Sequence, residues 1–212
     1  MDRLHVVRVG RAAAAVMVAA GLCGASGCGH EPGDKKEAPL VGERVDAVQA
    51  RAEKPVTTAE FCDVAAPSAD AAPRLAMPAL ASGGKLPGKG TWRWINVWAT
   101  WCKPCIEEMP HLAEWHKDLA AKGVHYDLVF VSVDDSDDVV TKYRERHPDA
   151  PESVRLADPD SLPKWLGAIG LGEAAPIPVH VFVDPDDRVR CVRAGGVKEK
   201  DLPAVRSVLG AS

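Results

Sequence analysis

The chain has 212 residues, of which 46% are hydrophobic and 26% charged, with a formal net charge of −4. That length suits one domain of ordinary size with some chain left over, and the composition is that of a soluble globular protein. No Lys/Arg run extends beyond "DKKE", which argues against the broad basic field that a nucleic-acid partner requires.

The first 30 residues differ in kind from the rest. "MDRLHVVRVGR" carries Arg3, Arg8 and Arg11, and "AAAAVMVAAGL" follows. This apolar run has the length of a signal-peptide core and is too short to span a bilayer comfortably. Ala25, Ser26 and Gly27 then stand directly before Cys28. Small residues before a cysteine are the pattern of a bacterial lipoprotein signal, whose cysteine becomes the lipidated first residue. Cys23 fits less well, because Leu22 precedes it. Residues 1–28 are therefore expected to be a lipoprotein-type signal with Cys28 as lipid anchor. An ordinary signal peptide or an uncleaved anchor is the plainer reading. All three readings take the domain out of the cytoplasm, to the periplasmic side of a membrane, where disulfides persist.

Residues 29–62 are polar and charged and read as a tether, with helical character expected around Arg44 to Ala52. Residues 63–212 are expected to form the domain. Its lead-in to residue 90 is rich in Ala, Pro and Gly. "TWRWINVWA" from Thr91 is aromatic and β-branched, the pattern of a strand. Lys103 to Lys122 reads as a helix stopped by Gly123. "YDLVFVSVD" is nearly all apolar, as a buried central strand would be. A second helix is expected over Asp137 to His147, and "SLPKWLGAIG" is a short one. "PVHVFVD" and "RVRCVRAGG" are two strands joined by a "PDD" turn, and "KDLPAVRSVLG" is a closing helix. This order implies an α/β fold with a mixed sheet.

There are six cysteines. With Cys23 and Cys28 assigned to the signal and the anchor, four remain. Cys102 and Cys105 form a C-x-x-C, and Cys62 and Cys191 are left to each other. These last two are either a structural bridge stapling the N-terminal extension to the sheet or two buried free thiols. Cys102 falls where the strand gives way to the helix. The free N–H groups and dipole of a helix start favour an anion, and a thiolate is one. Lys103 adds a positive charge beside it. Pro104 sits where a missing N–H costs little. Cys105 comes one turn later and turns inward. Cys102 is thus the expected attacking sulfur and Cys105 the resolving one.

"INVWATWCKPCIEEMPHL" resembles the TlpA/ResA group of thioredoxin-like proteins, which includes the cytochrome-c-maturation reductases. That group commonly reads V-N-F-W-A-T-W-C-x-P-C, followed by a Glu, a Pro and a Leu. Cys102, Cys105, Glu108, Pro110 and Leu112 fall in register with it. The resemblance covers roughly residues 70 to 210. It implies a thioredoxin fold, export, and thiol–disulfide exchange without any cofactor beyond the Cys102–Cys105 pair. The partners it implies are exported clients with cysteines or disulfides and a membrane electron-donor protein.

The resemblance also implies a cis bond at Ile177-Pro178, opposite the sulfurs, with Pro176 as rival position. Ile177 would pair with an extended client segment, and Trp101, Lys103 and Pro104 would flank it. Where cytoplasmic thioredoxins bury an Asp, this chain has Asn96, which cannot accept a proton. Glu108 is the candidate for that role, against the plainer reading of a solvated helix charge; Glu107 is read as such a charge. His180 stands where the group often has Thr. It is read either as a core histidine or as a neighbour that tunes the sulfurs. Trp92 and Trp98 are assigned to the core, and Pro110 is expected to kink its helix.

Two alternatives use the same residues. A copper- or zinc-handling module would add His111, His116 or His180 to the cysteines, but no second C-x-x-C or H-x-x-x-H completes a four-ligand site. No metal site is therefore assigned. A peroxide-reducing enzyme on this fold would use a Thr before its cysteine, and Thr100 lies at the wrong spacing.

Overall fold

The computed structural model describes residues 54–210. The signal segment, Cys28 and the tether up to residue 53 lie outside the described residues.

The folded part begins ahead of residue 63. Thr57 caps a single turn, α1 (Thr58–Phe61), with a reciprocal bond to Glu60. Phe61 is fully buried and meets Phe182 edge-on, with ring centroids 5.8 Å apart. The two-residue strand β1 (Val64–Ala65) follows and pairs with the last strand. The Ala/Pro/Gly-rich stretch after it is tied down by backbone bonds, among them Leu75 N–H to Asp187 O at 2.8 Å and Val189 N–H to Pro73 O at 2.8 Å.

The main elements then run β2 (Trp92–Trp98), α2 (Lys103–Ala121), β3 (Tyr126–Ser132), α3 (Asp137–Arg146), β4 (Ser153–Arg155), α4 (Leu162–Ala168), β5 (Val179–Val183), β6 (Val189–Ala194) and α5 (Leu202–Val208). The sheet order is β1-β6-β5-β2-β3-β4. β2, β3 and β4 run parallel, while β5 is antiparallel to both of its neighbours, β2 and β6, and β1 is antiparallel to β6. This is a thioredoxin-like α/β fold with a central mixed sheet. β2 lies in the middle because six of its seven residues are buried, so both faces need cover.

α2 covers the face that carries Trp94 and Asn96. Its buried residues are Cys105, Glu108, Met109, Leu112, Trp115 and Leu119, an i, i+3, i+4, i+7 stripe. Trp115 lies against Trp94, ring centroids 6.3 Å apart. The helix stops at Gly123, whose φ of +83° only glycine adopts without strain. It continues through Pro110, which sits on the exposed side. Trp98 is fully buried, whereas Trp92, assigned to the core from sequence, is half-buried near the sheet's opposite end.

Candidate active site

Cys102 is the N-cap residue of α2, directly past the Trp98 end of β2. Its N–H donates to Ala99 O at 3.0 Å, and its carbonyl accepts from Ile106 N–H at 3.1 Å. The amides of the first helical turn, which have no partner within the helix, thus lie directly after this cysteine. Cys102 and Cys105 are bridged, with Cα atoms 5.3 Å apart. Cys105 is wholly buried and Cys102 is 4% exposed, so the bridge presents its Cys102 side to the surface.

Opposite stands the loop before β5. Its Ile177-Pro178 bond is cis, and Ile177 O lies 3.8 Å from Cys102 Sγ. A groove of 790 Å³ opens beside this sulfur, walled by Trp101, Pro104, Leu162, Pro163, Pro176 and Ile177. Trp101 is 69% exposed, the largest apolar side chain left open to solvent among the described residues. Lys103 also lines the groove and reaches Glu107 at 3.5 Å, both side chains exposed. The wall is mostly apolar, with Lys103, Asp135 and Asp160 as its charged side chains and the Ile177 backbone carbonyl at the sulfur. Such a groove suits an extended segment brought to one reactive sulfur.

Beneath the bridge lies a buried polar cluster. Glu108 is 4% exposed, and Asn96 and His180 are fully buried. Asn96 and His180 face each other across β2 and β5. Asn96 Nδ2 donates to Glu108 Oε1 at 2.7 Å, and Val197 N–H donates to Oε2 at 3.0 Å. His180 Nε2 stands 3.4 Å from Oε2, longer than an ordinary hydrogen bond, and has no other partner. Its Nδ1 accepts from Trp94 Nε1 at 3.1 Å. Glu108 is thus a buried carboxylate held by three segments of the chain, not a solvated helix charge. His180 is a core histidine, and it also touches this carboxylate. Glu107 is exposed, in agreement with its reading as a surface charge.

A second buried carboxylate was not singled out from the sequence. Asp134, just past β3, is 1% exposed. It accepts from Thr100 N–H at 3.0 Å, Thr100 Oγ1 at 2.7 Å and Ser132 Oγ at 2.7 Å. Asp134 thereby fixes the turn that carries Trp101 and Cys102. The signal available was its place at the carboxyl end of a parallel strand next to β2, where α/β sheets gather their sites. These bonds also turn the Thr100 hydroxyl to Asp134, away from the role a peroxide-reducing site would give it. His116 Nε2 is engaged with Tyr126 O at 3.0 Å. Among the described residues no group of three or more His, Cys, Asp or Glu is placed to hold a metal ion.

The structure therefore brings Trp101, Cys102, Lys103, Pro104 and Ile177 together around the groove. Pro178 stands behind Ile177, and Cys105 and Glu108 lie below. Cys62 and Cys191 are elsewhere, bridged between the N-terminal extension and β6 with Cα atoms 5.4 Å apart. Among the described residues, no helix is long and apolar enough to cross a membrane.

A family model described as the AhpC/TSA family matches residues 69–192, more than half of the chain. Among curated proteins, the chain is 31% identical over 104 residues to the thiol-disulfide oxidoreductase ResA of Bacillus thuringiensis (strain Al Hakam), covering 49% of this chain and 54% of that protein. It is 30% identical over 118 residues to the ResA of Geobacillus thermodenitrificans, covering 54% of this chain and 60% of that one. The match thus spans little more than half the length of these relatives. Among solved structures, the thioredoxin domain of a thiol-disulfide oxidoreductase from Bacteroides vulgatus has a TM-score of 0.48 at 20% identity, covering 65% of this chain and 94% of that one. A thiol:disulfide interchange protein from Chlorobium tepidum has a TM-score of 0.45 at 28% identity, covering 57% and 82%.

Proposed function

We propose that this chain, which belongs to the AhpC/TSA family, is a thiol:disulfide oxidoreductase that works outside the cytoplasm as a reductase, tethered to the membrane through a lipid on Cys28. The observation that carries the reading is the Cys102–Cys105 bridge at the start of α2, with Ile177 O facing its outer sulfur across an apolar groove. The likeness to proteins named thiol-disulfide oxidoreductase supports it.

In this reading the reduced protein meets a client disulfide in the groove. The Cys102 thiolate attacks one client sulfur, forming a mixed disulfide and releasing the other client sulfur as a thiolate that takes a proton from water. Cys105 then gives its proton to Glu108, and its sulfur attacks that of Cys102. The mixed disulfide breaks, the second client sulfur leaves and is protonated, and the Cys102–Cys105 bridge forms. Two electrons have passed from the protein to the client. A dithiol on a membrane electron-donor protein returns them. Trp101, Lys103, Pro104, Ile177 and Pro178 bind the client segment, and the Cys62–Cys191 bridge is structural. No cofactor takes part.

Two measurements test this. Cys105→Ser should accumulate mixed disulfides through Cys102; trapping by Cys102→Ser instead would reverse the assignment. A reduction potential for the pair near roughly −270 mV fits a reductase fed across the membrane, whereas roughly −120 mV would make the protein an oxidant.

A further inference from the structure

The buried side of Glu108 carries more than the exchange reaction requires of a proton acceptor. An indole N–H is a donor and has no acceptor. Trp94 Nε1 lies 3.1 Å from His180 Nδ1, so Nδ1 must present its lone pair. A proton there would set two N–H groups against each other where His180 is fully buried. This argument does not depend on which way round the Asn96 amide lies. His180 is therefore a neutral imidazole with its proton on Nε2. The acceptor facing that proton is Glu108 Oε2 at 3.4 Å. A bare lone pair on Nε2 would instead repel the carboxylate.

The two oxygens of Glu108 are consequently unequal. Oε2 receives the Val197 amide proton at 3.0 Å and faces the His180 proton. Neither donor can turn aside: one is backbone, and the other is a ring pinned by Trp94. Oε1 receives only Asn96 Nδ2, at 2.7 Å. A carboxylate oxygen has about two acceptor positions, so Oε1 keeps one open. Cys105 lies one turn earlier on the same buried face of α2. On the solvent side, Glu108 borders a recess of 360 Å³ whose other titratable groups are Glu107, His111 and Lys198.

We infer that Trp94 and His180 direct the proton taken up by Glu108 onto Oε1, which makes His180 a positioning residue for proton transfer from Cys105. The inference rests on the proton-acceptor role given to Glu108 above. In the transfer the S–H bond of Cys105 breaks, an O–H bond forms at Oε1, and the sulfur keeps the electron pair with which it attacks Cys102. Without the His180 N–H, Oε2 is open as well, and the carboxylate loses a donor that favours its charged form.

The test begins with the ring-nitrogen shifts of 15N-histidine-labelled protein, in both redox forms. The His180 shifts should show the proton on Nε2 and a bare Nδ1. Trp94→Phe should release it to a mixture of forms. A wild-type His180 protonated on Nδ1 would overturn the inference. The second arm is the pH profile of mixed-disulfide resolution. His180→Phe should move the acid-side midpoint up by about one pH unit, a roughly tenfold loss of rate on that limb. His180→Gln, which keeps an N–H donor, should restore it. Equal losses for both variants with an unmoved midpoint would reduce His180 to a packing role and sink the proposal. If instead Glu108→Gln resolves mixed disulfides as fast as the wild type, the acceptor role itself is wrong, whatever the histidine spectrum shows.

Discussion

Replacing Cys62 and Cys191 together by alanine removes the covalent tie between the N-terminal extension and β6. The bridge joins residues 129 apart in sequence. In the chain-entropy treatment a closed loop of that size restricts the unfolded chain by about 5 kcal/mol at 25 °C. Single domains are commonly stable by about 5–15 kcal/mol, so this is a third or more of the total. The folded contacts of the extension survive the change. Phe61 remains buried, the Arg193 guanidinium lies over its ring at 5.0 Å, and Asp63 Oδ2 accepts from Ala194 N–H at 2.7 Å. The loss is therefore expected to come mainly from the freedom of the unfolded chain. Guanidinium unfolding of both proteins, with Cys102–Cys105 kept oxidised, measures it. The midpoint should fall by the equivalent of about 4–5 kcal/mol, and the slope should rise as the unfolded state expands. Exchange activity should persist, because Cys191 pairs with Phe182, several residues down the sheet from the groove. A loss below about 1 kcal/mol would refute the reasoning and assign the clamping to the non-covalent contacts.

Three further outcomes follow from the buried and bridged carboxylates. Glu108→Gln should slow resolution of the mixed disulfide by about 100-fold or more, with the first attack by Cys102 little changed, as stopped-flow traces of the two phases would show. Asp134→Ala leaves the Thr100 amide and two hydroxyls without their acceptor. It should destabilise the fold by about 2–4 kcal/mol in denaturant titrations and slow the attack by Cys102, whose turn it fixes. The Ser82 hydroxyl, and then Arg155, hold the Asp137 carboxyl below the usual carboxylate range. Its contribution to stability is thus present above the unfolded value of about 3.9 and fades as the pH falls through the lower folded value. Asp137→Asn should narrow the gap between unfolding midpoints measured at pH 7 and near pH 3.

The elements that position the sulfurs were legible in the sequence because local rules suffice for them. Aromatic and β-branched residues mark β2, a 3.6-residue stripe marks α2, Pro104 opens that helix and Gly123 closes it. The "PDD" turn locates the β5–β6 hairpin. Short pieces were not legible. α1, β1 and β4 are four, two and three residues long and exist through their partners: β1 pairs only with β6, and β4 lies on the edge of β3. Nothing in "EFCDVAA" by itself requires a strand.

The same distinction runs through the site. The C-x-x-C and the helix start beneath it could be read from residue types and spacing, and the proline loop opposite was implied by the family resemblance. Each depends on covalent neighbours or on a motif that travels whole. Glu108 could not be settled that way, since a glutamate on an amphipathic helix is as well suited to water as to a core. Its fate was decided by Asn96 from β2, His180 from β5 and the Val197 amide beyond β6, which meet only when the sheet has formed in its particular order. Asp134 is a similar case: Ser132 lies two residues before it on β3, but Thr100 reaches it only from the end of the neighbouring strand β2. The sequence by itself determined where the sulfurs sit along the chain and what chemistry they offer. The tertiary structure decided which carboxylates lie buried beside them and which donors they hold, because a buried charge is tolerated only where distant segments converge to satisfy it.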